Sequence, residues 1–284
     1  VIQTLLLTYA GPGRTVATFE PTYQLHGHIG RITGSTVVEG ERSADFTLDP
    51  AEVRRMVSDA DPDVVFLCSP NNPTGLVEPP ERVHELLTIA SGLVVVDEAY
   101  AQFAGWSALP LVSDDRALVV VRTFSKTWSM AASRLGYLVG PTWLVAELDK
   151  VVLPYHLDAV KQIAGRLALR FSDDMNDRVE HIVAERSRIV AAMAELPLDV
   201  FPSGANFVLF RVRPGALSGR DVWQGLVDRS VLIRDCSSWP RLDDCLRVTI
   251  GTPDENTEFL TALADVLAAA PTAAQTTAST GVMS

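Results

Sequence analysis

The sequence has 284 residues, is 47% hydrophobic and carries a formal net charge of −11 at pH 7. A chain of this length can bury a substantial core and form two domains, while its acidity argues against nucleic acid as a partner, because phosphates need an electropositive surface. Its apolar runs are far shorter than the roughly 20 residues that span a bilayer, and no signal peptide opens it, so we expect a soluble, cytoplasmic protein with no membrane partner.

The first half of the sequence alternates short apolar runs with amphipathic segments. Apolar runs typical of buried strands lie at 15–21, 35–40, 63–70, 92–99 and 116–123. Helical spacing of apolar residues marks 49–59 and 79–90, and the second segment opens with proline and acidic residues, as helix N-termini prefer. This alternation predicts an α/β fold with a mostly parallel sheet covered by helices on both faces. Ligands of such sheets bind outside the carboxyl ends of the strands.

The pattern changes after about residue 155 and indicates a smaller α+β domain. A charged amphipathic stretch covers 158–196, with a break expected near 172–174. Further strands are predicted at 205–212, 231–235 and 245–252, and helices at 221–230 and 255–270. We therefore expect a large domain at 1–154, a small C-terminal domain at 155–270, and a disordered Ala/Thr/Ser-rich tail at 271–284.

The three cysteines, Cys68, Cys236 and Cys245, are too few and too scattered for a disulfide framework. They also lack the spacing of a zinc site, so we expect no structural metal. A reducing cytosol fits this cysteine usage.

Polar clusters follow several of the predicted strands. They comprise Asn72 in CSPNNPTG, Asp97 and Tyr100 in VVVDEAY, Lys126 in TFSK, and Arg134 in SRLG. Each has an ordinary structural explanation, since NNPTG is a good turn and a strand-end aspartate can cap a helix. Asp97 could also be the magnesium ligand of a P-loop nucleotidase, but GPGRT at 11–15 does not supply the phosphate-binding loop that such a protein requires.

Together, the clusters fit one cofactor, pyridoxal 5′-phosphate, bound through a lysine. Asp97 would keep the pyridine nitrogen protonated, and Asn72 and Tyr100 would hydrogen-bond the phenolic oxygen. Tyr23, which follows an early strand in FEPTYQLHG, could stack on the ring.

The cofactor phosphate needs a cationic clamp and hydrogen-bond donors. Arg134 suits the first task, because the planar fork of a guanidinium matches phosphate oxygens. The hydroxyls of Thr123 and Ser125 would supply the donors.

The ordered series PTY, SPNNPTG, DEAY, T-x-SK and RLGY resembles the fold-type-I pyridoxal-phosphate aminotransferases, and most closely the histidinol-phosphate aminotransferases. The similarity continues through LPYHL, SGANFV, VLIRD and LRVTIGTPDEN to about residue 268. It implies that Lys126 is the Schiff-base lysine, that Arg247 fixes the acidic group of the substrate, and that Arg234 helps to hold the substrate phosphate. Without the resemblance, both arginines would be interpreted as solvent-facing strand residues.

The resemblance implies a homodimer that transfers an amino group in histidine biosynthesis. The transfer would run from histidinol phosphate to 2-oxoglutarate, or in reverse from glutamate to imidazole-acetol phosphate. Three alternatives stay open: another amino-acid or amine aminotransferase, a threonine-phosphate decarboxylase of the same fold, and a truncated, non-catalytic homologue.

The sequence departs from the family pattern in two places. Ala132 and Ser133 precede Arg134 where family members carry a glycine-containing AGLR. Family members also have an upstream segment with a tyrosine that reaches the partner subunit and a turn whose N–H groups cup the cofactor phosphate. Residues 1–13 resemble the helix that follows this turn, so we expect the 284-residue chain to bind the cofactor weakly.

Overall fold

The computed structural model describes residues 1–269, which form two compact units. The first comprises Val1–Val183 with Pro202–Asn206, and the second Ala184–Phe201 with the chain from Phe207 onward. The domain division near residue 154 stays a prediction. The predicted tail at 271–284 lies outside the described residues.

The first unit is a sheet of six strands with helices on both of its faces. Its strands are β1 (Thr15–Glu20), β2 (Thr36–Glu41), β3 (Val64–Cys68), β4 (Leu93–Asp97), β5 (Leu118–Thr123) and β6 (Gly136–Val139). Its helices are α1 (Ile2–Tyr9), α2 (Leu25–Ile32), α3 (Pro50–Ala60), α4 (Pro80–Ile89), α5 (Thr142–Asp149) and α6 (Ala159–Ala168). Helix α7 (Ser172–Met193) begins in this unit and ends in the second.

The strand order is β2-β1-β3-β4-β5-β6, with every pair parallel except the antiparallel β5–β6 edge. This sheet confirms the predicted α/β fold class. The predicted break in the amphipathic stretch exists but lies about three residues before 172–174, because α6 ends at Ala168, a 3-10 turn covers Leu169–Phe171, and Ser172 already begins α7.

The central strands are apolar except for the last residue of β4 and the last two of β5, because both of their faces are buried. Val94 and Val96 of β4 pack in a core with α3 and α4, whereas Val95 packs in a second core with α1 and α5. Burying each of these valines contributes about 1.5–3 kcal/mol relative to leaving it exposed. The two cores hold the carboxyl ends of β3, β4 and β5 side by side.

The second unit contains an antiparallel sheet in the order β7-β8-β10-β9. Its elements are β7 (Leu198–Val200), β8 (Phe207–Val212), α8 (Gly219–Val227), β9 (Arg234–Asp235), β10 (Cys245–Thr249) and α9 (Pro253–Ala268). Both helices begin two residues before their predicted starts because capping boxes, Ser218 with Asp221 and Thr252 with Glu255, fix their first turns. Only two residues of the predicted 231–235 strand pair with β10, and Leu232 is 80% exposed.

No helix within residues 1–269 combines the length and apolar character needed to cross a membrane.

Candidate active site

A cavity of about 470 Å³ lies in the first unit, at the carboxyl ends of β3, β4 and β5. Eight of the ten predicted site residues line it: Tyr23, Asn72, Asp97, Tyr100, Thr123, Ser125, Lys126 and Arg134. The other two, Arg234 and Arg247, belong to the second unit. The parallel sheet thus gathers motifs that are separated by up to about 110 residues in sequence.

Asp97 is the last residue of β4 and is 4% exposed. Its Oδ2 lies 2.9 Å from Nε2 of His26, and its Oδ1 accepts a hydrogen bond from the Ala99 N–H at 3.1 Å. A buried carboxylate is costly unless it is paired and hydrogen-bonded, and these two partners hold it in one orientation towards the cavity.

His26 is a site residue that the sequence reasoning missed. It is fully buried in the first turn of α2, stacks on Phe66 with ring centroids 4.2 Å apart, and contacts the Tyr23 ring edge-on at 5.3 Å. The available signal was its spacing of three residues after Tyr23 in PTYQLH, which places both side chains on one side of the turn that enters α2. His26 therefore contacts both Tyr23 and the Asp97 carboxylate, two residues that line the cavity.

Burial raises the pKa of the Tyr23 phenol, and the negative charge of Asp97 raises it further, although Arg134 acts in the opposite direction. Tyr23 is therefore a neutral aromatic side chain at physiological pH. Burial also raises the pKa of the Cys68 thiol far above neutrality. A thiol in that state is a poor nucleophile, so Cys68 lines the cavity without competing with the amine of Lys126.

Lys126 lies in the turn that follows β5. Its Nζ is 5.1 Å from the centroid of the Tyr100 ring, which is 5% exposed. In the same turn, Thr123 Oγ1 accepts from the Ser125 N–H at 3.0 Å and lies 2.9 Å from Ser125 Oγ. The turn thereby presents two hydroxyls and one amine to the cavity.

Arg134 follows a 3-10 turn, Ala131–Ser133, and has a left-handed backbone with φ 51°. Its Nη1 donates to the Ala131 carbonyl at 3.0 Å, and the side chain is exposed. With this backbone conformation, Arg134 lines the cavity although Ala132 and Ser133 stand where the resembled pattern has AGLR.

A buried ion pair joins the ends of β4 and β5 beside these groups. Glu98, 1% exposed, accepts from Arg122 Nη2 at 2.8 Å and Nε at 3.1 Å, and also from the Ser107 hydroxyl. Sequence reasoning singled out neither residue, although Glu98 directly follows Asp97 and Arg122 directly precedes Thr123. Their pairing fixes the two strand ends that carry Asp97 and Lys126.

The cavity suits a small molecule with a protonatable ring nitrogen, a carbonyl group and a phosphate. It offers a buried carboxylate, a primary amine, a neutral aromatic ring, two hydroxyls and a guanidinium. These are the groups that pyridoxal phosphate requires, so its chemistry fits the residues present.

Arg234 of β9 and Arg247 of β10 are direct cross-strand partners in the second unit. Directly opposite residues of an antiparallel pair project to the same face of the sheet. The Arg247 guanidinium lies 4.7 Å from the Phe207 ring centroid and that of Arg234 5.7 Å from the Trp239 ring centroid. Because like charges in this arrangement are destabilising, an anion bound between them would be favourable.

Comparisons with known proteins all point to one family. The model of the family described as aminotransferase class I and II matches residues 1–263. The histidinol-phosphate aminotransferase of Streptomyces avermitilis is 44% identical over 273 residues, which cover 94% of this chain and 72% of that protein. The Mycobacterium marinum histidinol-phosphate aminotransferase is 42% identical over 278 residues, which cover 96% of this chain and 71% of that protein.

A solved structure shares the fold. The histidinol-phosphate aminotransferase from Clostridium acetobutylicum matches with a TM-score of 0.86 at 23% identity, over 94% of this chain and 80% of that one. With a family match across most of its length and relatives above 40% identity, the chain belongs to the class I and II aminotransferases.

Proposed function

We propose that the chain is a pyridoxal-phosphate-dependent transaminase that exchanges an amino group between histidinol phosphate and 2-oxoglutarate in histidine biosynthesis. The main support is the convergence of Lys126, Asp97, Asn72 and Tyr100 on one cavity. The similarity to two histidinol-phosphate aminotransferases supports the substrate.

Bound pyridoxal phosphate would supply an electron-accepting ring, which makes the proton on the amine-bearing carbon of the substrate acidic. Lys126 is the amine that would hold the cofactor, and its Nζ is the base that would move this proton. Asp97 would keep the ring nitrogen protonated. His26 Nε2, 2.9 Å from Asp97 Oδ2, would hold the carboxylate in the orientation that this task requires.

The remaining cavity residues would orient the cofactor. Tyr23 would stack on its ring, and Asn72 and Tyr100 would hydrogen-bond its phenolic oxygen. Its phosphate would be bound by Arg134 with the hydroxyls of Thr123 and Ser125, which already lie 2.9 Å apart.

The substrate phosphate would be bound by Arg234 and Arg247. Their cross-strand pairing places two cationic forks on one face of the small sheet, and charge-assisted hydrogen bonds to a phosphate are worth about 1.5–3 kcal/mol each. A substrate without a phosphate would gain none of this energy, so the pair favours phosphorylated amines.

We also propose that the protein works as a homodimer in the cytoplasm. Apolar side chains are exposed along a short segment of the first unit: Leu153, Tyr155, Val160, Ile163, Leu167, Leu169 and Phe171. Exposed apolar side chains that are concentrated in one segment are typical of a protein–protein interface. Sedimentation analysis tests this assembly directly.

The function is tested by adding pyridoxal phosphate to the purified protein and recording its visible spectrum, then supplying histidinol phosphate with 2-oxoglutarate. We expect a yellow protein that forms glutamate, and a Lys126→Ala variant that does neither. Release of CO₂ from threonine phosphate would instead identify a decarboxylase. A protein that stays colourless at saturating cofactor would contradict enzymatic function.

A further inference from the structure

Asn71 is a fully buried polar residue next to the predicted cofactor ligand Asn72, at 0% exposure. Its side chain does not line the cavity. Its Oδ1 accepts a hydrogen bond from the Thr22 hydroxyl at 2.7 Å, and its Nδ2 donates to the Pro21 carbonyl at 3.0 Å. Both partners belong to the loop that follows β1 and immediately precede Tyr23.

The second N–H of the same amide serves the loop that follows β3. Asn71 Nδ2 also donates to Thr74 Oγ1 at 2.9 Å, while the backbone N–H of Asn71 donates to the Leu76 carbonyl and its carbonyl accepts from the Gly75 N–H, both at 2.7 Å. One side-chain amide therefore uses an acceptor and two donors to join two loops that are 49 residues apart in sequence.

The turn that holds Asn71 has little freedom to adjust. Gly75 has φ +81°, a region that favours glycine, and a Cβ added there would lie 2.5 Å from Ser203 Oγ. The Gly204 N–H donates to the Gly75 carbonyl at 2.8 Å. With this side of the turn fixed, the Asn71 amide determines where the loop carrying Tyr23 lies.

We infer that Asn71 is a positioning residue that sets the separation between Tyr23 and Asn72, the two cavity residues on the adjacent loops. The inference rests on the proposed function, in which Tyr23 stacks on the cofactor ring and Asn72 donates to its phenolic oxygen. Only an asparagine supplies this set of bonds at this length. Aspartate would place a carboxylate oxygen, which cannot donate, against the Pro21 carbonyl. Alanine would remove the hydrogen bonds to Thr22, Pro21 and Thr74.

The test uses the visible absorbance of the bound cofactor, titrated with pH, rather than activity. A donor to the phenolic oxygen keeps the midpoint of this titration low, so Asn72→Ala should raise it. Asn71→Ala should raise it in the same direction by about one pH unit, which corresponds to about 1.4 kcal/mol. The double variant should match Asn72→Ala alone, because Asn71 acts on the midpoint through Asn72.

Asn256 provides a matched control in the second unit. It is 2% exposed, and its amide accepts from the Gly251 N–H and donates to the Gly251 carbonyl and to Glu185. Asn256→Ala should lower the melting temperature as Asn71→Ala does while leaving the cofactor titration unchanged. An equal shift in both variants would overturn the inference.

Thr22→Val removes only the bond to Asn71 Oδ1 and keeps the shape of the side chain. It should shift the midpoint in the same direction by a smaller amount, and it decides the matter if Asn71→Ala fails to fold. An unchanged midpoint in Thr22→Val, or in a folded Asn71→Ala, would show that the amide is merely structural. A wild-type protein that forms no visible band would contradict the proposed function itself and the inference with it.

Discussion

At the scale of single residues, the cavity separates Lys126 from the other lysines of the chain. Lys150 pairs with Glu147 and Lys161 with Asp158, both within three residues on exposed helices, whereas Lys126 faces Tyr100 inside the cavity. Lys126 lies beside the carboxylate, hydroxyls and guanidinium that would bind the cofactor, so a bound cofactor would present its aldehyde to this amine. The cofactor should therefore select one lysine.

Borohydride reduction of the loaded protein should fix pyridoxal phosphate covalently on the peptide that contains TFSK. Peptide mass mapping locates the adduct. Lys126→Ala should abolish it, and Lys161→Ala, the matched control, should leave it intact. A full yield of adduct on Lys150 or Lys161 would refute the assignment of Lys126.

The bond between His26 and Asp97 gives a second residue-scale prediction. His26→Phe keeps the ring that stacks on Phe66 and removes the 2.9 Å contact to the Asp97 carboxylate. Because hydrogen bonds to charged groups contribute about 1.5–3 kcal/mol, the dissociation constant of the cofactor should rise by about ten- to a hundredfold. Fluorescence titration with pyridoxal phosphate measures it.

His28, an exposed histidine on the same helix, provides the control for this change. His28→Phe should leave cofactor affinity unchanged. Equal affinity of wild type and His26→Phe would mean that Asp97 needs no support from His26.

At the scale of elements, sequence patterns predicted features that depend on a single strand or helix. They missed features that depend on contacts between two segments. The strands β3, β4 and β5 were predicted because burial on both faces gives each of them a run of at least four apolar residues. The edge strand β6 is only four residues long and partly exposed, so no such run marks it. The roles of Asn71 and Glu98 arise from hydrogen bonds to residues far away in the sequence, and no local pattern reports such contacts.

The carboxyl end of β1 should make stability depend on pH. Burial raises the pKa of the half-buried Glu20, and Glu39 adds to the effect, although the Thr22 N–H partly offsets it. A raised pKa in the folded state means that the unfolded chain loses this proton first. Stability therefore falls as pH rises above the ordinary glutamate pKa of about 4.3, and the penalty is complete above the folded-state value.

Glu20→Gln keeps an acceptor for the Thr22 N–H and cannot ionise. It should raise the free energy of unfolding at pH 7, and most of the gain should be lost at pH 4, where most of the wild type is protonated in both states. Urea unfolding at the two pH values measures the difference. Glu258→Gln, a change at an exposed glutamate of α9, should be neutral at both, and a Glu20→Gln gain that persists at pH 4 would exclude titration as its cause.

At the scale of the whole molecule, the proposed cofactor ligands all belong to the first unit and the proposed substrate arginines to the second. The motif order along the chain predicted the first group, because parallel strands bring their carboxyl ends to one edge. Arg234 and Arg247 were identified by resemblance alone. Their register across β9 and β10 depends on pairing between segments whose sequences do not specify it.

This division predicts that substrate and cofactor affinity can be changed independently. Arg234→Ala removes one of two guanidinium groups from the shared sheet face, so the KM for histidinol phosphate should rise by about tenfold or more, in line with the loss of one charge-assisted hydrogen bond. The KM for histidinol, which lacks the phosphate, should change little. Cofactor affinity should stay at the wild-type value.

Arg213→Ala supplies the control, because this arginine also lies in the second unit but pairs with Asp199. Combining Arg234→Ala with Arg247→Ala should show coupling, since two forks that bind one phosphate are not independent. Inorganic phosphate should inhibit the wild type competitively with histidinol phosphate. It should not inhibit the double variant in this way. Additive losses together with unchanged phosphate inhibition would show that the two arginines, although cross-strand neighbours, do not bind one anion.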